Sequence, residues 1–201
     1  PQSKKPVGVN WPDEGKSREQ ALATNGNLGL LLGPKSDVMD VDLDCREAKG
    51  LAELILPKPF AQFDRGTSDS GHYLYKATTC GPTKKFSGNG SKSTLVELRG
   101  DGSQTMIPPS IHPDGSRLNF TDINQDAPEI EYADLLKSVS FLAACSEVAQ
   151  LWVSGRRHEL ALSFSGLCLK QNVNPQLLIN IIQRICQTTG DRDEQDRMNC
   201  V

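Results

Sequence analysis

Val38-Met39-Asp40-Val41-Asp42-Leu43-Asp44 reads as a β-strand with a carboxylate at every second position. Strand side chains alternate between faces, so Asp40, Asp42 and Asp44 share one face while Met39, Val41 and Leu43 share the other. Three like charges in a row repel one another, and burying them unpaired is costly. An edge strand with a solvated face would tolerate them, since charge there discourages aggregation. The apolar opposite face and the preceding apolar run Leu28–Leu32 point instead to a central strand, which calls for something strongly positive beside it. Hard carboxylate oxygens suit Mg²⁺ or Mn²⁺.

The chain of 201 residues is long enough for one large domain or two small ones, and its formal charge is −3. Residues 1–130 carry 15 Lys+Arg against 17 Asp+Glu, and the remainder 7 against 8, so neither part is a basic domain. Nucleic-acid binding would therefore rest on local patches, helped by metal that cancels the aspartates. The 6 cysteines are scattered with no Cys-x-x-Cys pair. That spacing argues against structural zinc and a disulfide framework, and fits reduced thiols in a cytoplasm. No apolar run reaches the length of a membrane span, and there is no signal peptide. The start at Pro1 without methionine reads as a fragment of something longer.

Two textures divide the sequence. Residues 1–130 are rich in Gly, Pro, Ser and short apolar runs, with strands expected at 27–33, 38–43, 72–76, 94–99 and 104–107. A helix is expected at 46–56, with Ala48, Leu51, Ala52 and Ile55 on one stripe and a stop before Pro57. Strand, helix and further strands suggest an α+β sheet covered by helices on one face. Residues 121–130 read as a linker. Beyond it, apolar spacing predicts helices over 132–153, 156–170, 174–187 and 191–200, the third opened by Asn174 as N-cap with Pro175 at the first helical position. This second part is a small helical bundle without catalytic signals of its own.

Three further constellations bear on chemistry. Arg65-Gly66-Thr67-Ser68-Asp69-Ser70-Gly71-His72 runs into a strand that puts Ser70, His72, Leu74 and Lys76 on one face and Tyr73 and Tyr75 on the other. Its glycines allow close backbone approach, and Arg, Ser, His and Lys all donate to phosphate oxygens. A lone histidine is more often a core hydrogen-bonder; the company of Arg65, Ser70 and Lys76 tilts this one toward phosphate. In Thr94–Arg99, Val96 and Leu98 face a core while Glu97 and Arg99 face away. Glu97 alone is an ordinary strand charge; beside Asp42 and Asp44 it supplies a carboxylate from a second strand. His112, in a proline-rich loop, is as suited to fixing that loop as to touching a ligand. Lys84, Lys85 and Lys92 fall in a Gly/Ser-rich stretch and could meet phosphates or simply be solvated.

Taken in order, Asp42-Leu43-Asp44, Ser70-Gly71-His72 and Glu97 resemble the motifs of the bifunctional DNA primase/polymerase (Prim-Pol) domain of the archaeo-eukaryotic primase superfamily. The flanks are similar to plasmid- and phage-type members: Lys5-Pro6 with Trp11, Gly29–Gly33, the His72-Tyr73-Leu74-Tyr75 strand, and Glu97-Leu98-Arg99 through Pro108-Pro109-Ser110-Ile111-His112. The second part resembles the helical primase C-terminal region, with Gly155–His158, Gly190-Asp191 and Asp196-Arg197. The resemblance implies a catalytic domain over 1–125, related to the RNA-recognition motif, and a helical domain over 131–201. It implies that Asp42, Asp44 and Glu97 hold two divalent ions (Mg²⁺ or Mn²⁺), and that Ser70 and His72 hold the incoming triphosphate with Arg65 and Arg99 as helpers. Asp40 is then an outer-sphere carboxylate.

The implied activity is template-dependent primer synthesis or extension on single-stranded DNA from dNTPs or NTPs. The setting would be replication of a mobile element in a bacterial, archaeal, phage or plasmid system, with a helicase in the same protein or separate. Some relatives insert a cysteine-rich zinc stem, and this chain offers no ligands for one, so no zinc is expected. Two other readings stay open. A replication-initiator nuclease shares a similar sheet but normally needs His-x-His and a nucleophilic tyrosine, whereas His72, His112 and His158 are far apart in sequence. A non-catalytic module for single-stranded DNA would not require the acidic set.

Overall fold

The computed structural model describes residues 4–6, 10–11, 13, 15–66, 69–88 and 93–201; Lys92, Thr67 and Ser68 of the motifs above lie outside them. The fold is α+β. Its centre is β2 (Val38–Leu43), which is buried on both faces and flanked antiparallel by β4 (Gly71–Thr79) and β6 (Thr94–Arg99). Outward from these run β3 (Ala61–Asp64) and β8 (Asn119–Ile123) on one side and β5 (Lys84–Ser87) on the other, giving the order β5-β6-β2-β4-β3-β8. The short β9 (Ile130–Glu131) pairs parallel with β4. Both edges carry polar or exposed residues, Lys84 and Lys85 on β5 and all of β8, as unpaired edges require.

The central position of β2 has a different origin from the expected one. β1 (Leu28–Leu31) does not join this sheet; it pairs with β7 (Gln104–Ile107) in a separate two-stranded ribbon. A turn from Gly33, with φ +93°, to Val38 turns the chain between β1 and β2. The ribbon's Leu30, Met106 and Ile107 pack with Leu74, Phe63 and Leu118 in a small second core on the acidic face. Other departures are local. Residues 121–123 belong to β8 rather than to a linker, and Lys84 and Lys85 sit on a strand rather than in a loop. The strand β3 escaped notice because Ala61-Gln62-Phe63-Asp64 is short and carries few β-branched residues.

On the other face, Met39, Val41 and Leu43 join Tyr73, Tyr75, Val96 and Leu98 beneath helices. The helix α2 (Arg46–Ile55) buries Ala48, Leu51 and Ala52, and its first turn is closed by the Cys45 thiol accepting from the Ala48 amide. The helices α3 (Tyr132–Gln150), α4 (Arg157–Lys170) and α5 (Pro175–Thr189) add Leu135, Val139, Leu142, Phe164, Ile181, Ile182 and Ile185 to the same buried cluster. Asn174 caps α5 as its sequence requires, accepting from the Gln176 and Leu177 amides, and Gly190 ends it at φ +67°. Two short helices, α1 (Arg18–Leu22) and α6 (Glu194–Met198), complete the elements.

Asp191 and Arg197, two of the C-terminal motif residues, form a buried structural knot. Asp191 accepts from Trp152 Nε1 at 3.0 Å and from Arg197 Nε at 3.1 Å, with Arg157 at 3.3 Å. Removing the carboxylate leaves the buried indole N–H without its acceptor and takes one of three carboxylates from the Arg197 guanidinium, a loss of about 1–3 kcal/mol. Asp191→Ala should therefore lower the midpoint of thermal or urea unfolding by far more than Asp193→Ala, whose carboxylate is largely exposed; equal shifts would show that the knot carries no special weight.

Candidate active site and metal centre

Strand register lines the polar residues up in one row across the sheet. Lys85 on β5 stands opposite Glu97 on β6, Glu97 opposite Asp42 on β2, Asp42 opposite His72 on β4, and His72 opposite Phe63 on β3. The next row places Asp40 between Arg99 and Leu74. Asp44 lies just past the end of β2, where its amide still donates to the Leu95 carbonyl at 3.0 Å. Asp42, Asp44 and Glu97 bring one carboxylate oxygen each to within 4.8 Å of one another. Directly after Arg99, the backbone at Gly100 runs against the Gly81 carbonyl, 2.0 Å from where a Cβ would stand, so any side chain there would displace the end of β6.

Asp40 is completely buried, and Asp42 and Glu97 nearly so. Their charges are met by basic side chains from both flanking strands. His72 Nδ1 lies 3.0 Å from Asp40 Oδ2, and its Nε2 lies 3.6 Å from Asp42 Oδ1. Arg99 pairs with Asp42 and reaches Glu97 Oε2 from Nε at 3.3 Å. Lys85 Nζ stands 3.4 Å from Glu97 Oε1. The His72 ring is stacked on Phe63, with centroids 4.6 Å apart and planes within 11°. Asp40 and Phe63 thus fix the imidazole's orientation from two directions.

Asp40, His72, Asp42 and Arg99 do not titrate alike. Burial alone would raise the Asp40 carboxyl, but the charge and hydrogen bond of His72, then Arg99, outweigh it and hold Asp40 below the ordinary range. Burial pulls His72 down, yet the same Asp40 charge and hydrogen bond, with Asp42, leave it above its ordinary value. Asp42 is pushed up to about 6, chiefly by burial and further by Asp40 and Asp44, against the pull of His72 and Arg99. The Arg99 guanidinium is held charged by Asp42, Asp40 and Glu97 despite its burial.

Around this row the cleft is lined by Asp42, Asp44, Arg65, Ser70, His72 and Arg99, so the residues singled out in the sequence converge in space with Glu97 beside them. The turn bearing Arg65 is set by Asp64, which accepts from the Gly66 amide at 2.7 Å and from Lys49 Nζ at 2.8 Å. Arg65 donates to Ser70 Oγ at 3.2 Å and to Asp114 at 2.7 Å, with His112 Nδ1 at 3.4 Å. His112 holds its loop, accepting from the Asp114 amide, and also lines the cleft. Asp64, Lys49 and Asp114 had no motif to announce them. Lys85 was legible in the sequence as a possible phosphate contact, and register was needed to bring it to Glu97.

Residues 1–132 match the family model described as bifunctional DNA primase/polymerase, N-terminal. The chain belongs to the Prim-Pol family. No curated protein matches it. The donor set of this Prim-Pol chain fits a divalent cation. Three carboxylates, on two adjacent strands and just past the end of one of them, supply only hard oxygens, with Arg99 and Lys85 paired beside them.

The pH dependence follows from the shifted groups. A raised folded-state value means that stability from Asp42 is present below its ordinary value and is lost as pH rises through about 6. His72 acts in the same sense above its ordinary value, whereas the lowered Asp40 loses stability only as pH falls through its depressed value. Metal binding requires the ionised carboxylates and restores what these groups lose. Mn²⁺ should therefore raise the melting temperature more at pH 7.5 than at pH 5, and Asp42→Asn should shrink that difference, leaving the part from Asp44, whose carboxyl burial also raises. A Mn²⁺ effect of equal size at both pH values would contradict this.

Proposed function

We propose that this chain is a template-dependent nucleotidyltransferase that makes or extends primers on single-stranded DNA from dNTPs or NTPs. The observation that carries it is the single row Glu97–Asp42–His72 across three strands, with Asp44 closing the carboxylate set. Family membership supports the same chemistry in general terms. Asp42, Asp44 and Glu97 would hold two divalent ions, Mg²⁺ or Mn²⁺. Such ions, when bound, acidify the attacking hydroxyl and neutralise the triphosphate.

The remaining work falls to the chain's own side chains. His72, clamped by Asp40 and Phe63, presents a pre-oriented donor to phosphate at no cost of reorganisation. Arg65 and Ser70, joined to each other beside it, form the next phosphate contacts. Arg99 holds Asp42 and Glu97 in place and is available to a phosphate once their oxygens are otherwise engaged. The region from residue 131 is read as a helical unit with no catalytic part. A helicase, in the same protein or separate, and a cytoplasmic setting in a mobile element's replication complete the proposal. Among the described residues, no helix is long and apolar enough to cross a membrane.

The tyrosines argue against an initiator nuclease. All 3 are accounted for. Tyr73 and Tyr75 are buried in the core on the opposite face of the sheet, burial pushing the Tyr73 phenol up to about 12. Tyr132 donates its hydroxyl to the Pro82 carbonyl. None stands beside the acidic row.

The test uses purified protein, single-stranded template, Mg²⁺ or Mn²⁺ and labelled nucleotides, with and without primer. Wild type should incorporate nucleotide, and Asp42→Asn or Glu97→Gln should lower incorporation by about 100-fold or more, the scale of losing one preorganised electrostatic contact to the transition state. Incorporation that survives both substitutions would sink the reading. Strand cleavage with covalent attachment to tyrosine would replace it with the nuclease, and DNA binding without either product would leave a non-catalytic module.

A further inference from the structure

Basic side chains flank the carboxylates from two sides, one within the cleft and one at the edge of the sheet. His72 on β4, with Ser70 and Arg65 on the turn leading into it, occupies one side. Lys85 on β5 occupies the other. Register sets it opposite Glu97, its Nζ is 3.4 Å from Glu97 Oε1, and 64% of its side chain is exposed. The strand β5 ends the sheet, so among the described residues no further strand covers that flank.

Nucleotidyl transfer gives the two sides different occupants. The bond that forms joins a 3′-oxygen to the α-phosphorus; the bond that breaks joins that phosphorus to the bridging oxygen. The hydroxyl proton passes to water and the electron pair leaves with pyrophosphate. The entering and leaving oxygens lie roughly in line on opposite sides of phosphorus. A triphosphate drawn toward Arg65, Ser70 and His72 releases pyrophosphate on the β4 side. The 3′-oxygen then enters from the β6–β5 side, where Lys85 stands.

We infer that Lys85 binds the phosphodiester backbone of the primer strand near its 3′ end, while Arg65 serves the nucleotide alone. This rests on the nucleotidyl-transfer reading above. A lysine ammonium is a compact point charge on a flexible stem, suited to a backbone phosphate whose position shifts with each added nucleotide. Its pairing with Glu97 holds the ammonium beside the carboxylates at the edge of the sheet.

The experiment compares wild type, Lys85→Ala, Lys85→Arg and Arg65→Ala in the 201-residue chain. Binding of a fluorescent primer–template is titrated over a range of salt without nucleotide, and KM for nucleotide is measured separately. Lys85→Ala should weaken primer–template binding by about fivefold and flatten the slope of log affinity against log salt by about 1, the signature of one lost phosphate contact. Lys85→Arg, which keeps the charge beside Glu97, should restore both the affinity and the slope. Arg65→Ala should raise nucleotide KM and leave primer–template binding unchanged. A Lys85→Ala protein with wild-type DNA affinity and salt slope, or one altered only in nucleotide KM, would overturn the inference. Failure of the nucleotidyl-transfer reading shows separately, as a wild type that incorporates no nucleotide, and the binding arm still reads Lys85.

Discussion

Two aspartates buried side by side on the central strand are the constraint on which the rest depends. Asp40 and Asp42 point to the same face of β2 with little or no exposure. Such a pair persists only if the flanking strands deliver positive charge in register. β4 delivers His72 and β6 delivers Arg99, each touching the carboxylates directly. Slipping either strand by one residue would turn those cations to the apolar face and bring Tyr73 or Leu98 onto the acidic one. The sheet's register and its electrostatics are therefore one specification.

That specification explains the division of labour between the two faces. The helical face is a hydrocarbon core continuous from Val41 through Leu51 to Ile181 and Ile185, and it holds the sheet rigid from behind. The acidic face is only partly covered, by the β1–β7 ribbon and its small core around Phe63 and Leu74. Between ribbon and sheet a cleft remains, and the turn bearing Arg65 closes one end of it through Asp64 and Asp114. A preorganised polar site on a rigid apolar backing is the arrangement that electrostatic catalysis needs.

Much of this was legible in the sequence, for identifiable reasons. The period of two in Val38–Asp44 announced β2 and its acidic face, and the same alternation correctly turned Tyr73, Tyr75, Val96 and Leu98 to the core. The helix around Leu51 and the cap at Asn174 followed from spacing and capping chemistry. What stayed hidden was whatever depends on pairing at long range. Leu28–Leu31 reads as a neighbour of β2 but joins β7, since strand pairing leaves no mark within a single strand. Lys85 belongs to the site only because β5 pairs with β6, and Asp64 and Asp114 only because their loops meet at Arg65. The contact of Asp191 with Trp152 and Arg197 likewise joins residues far apart in sequence.

The central claim is that the carboxylates of β2 and β6 form a hard-metal site. Titration of Mn²⁺ into wild type, Asp42→Asn and Glu97→Gln, followed by the loss of the free-ion signal in electron paramagnetic resonance, reads it without any need for turnover. The account predicts saturable binding by wild type at pH 7.5 and at least about tenfold weaker binding in both variants, the scale expected when a charged ligand is removed. Binding that is absent in wild type, or equally strong in all three proteins, would contradict it.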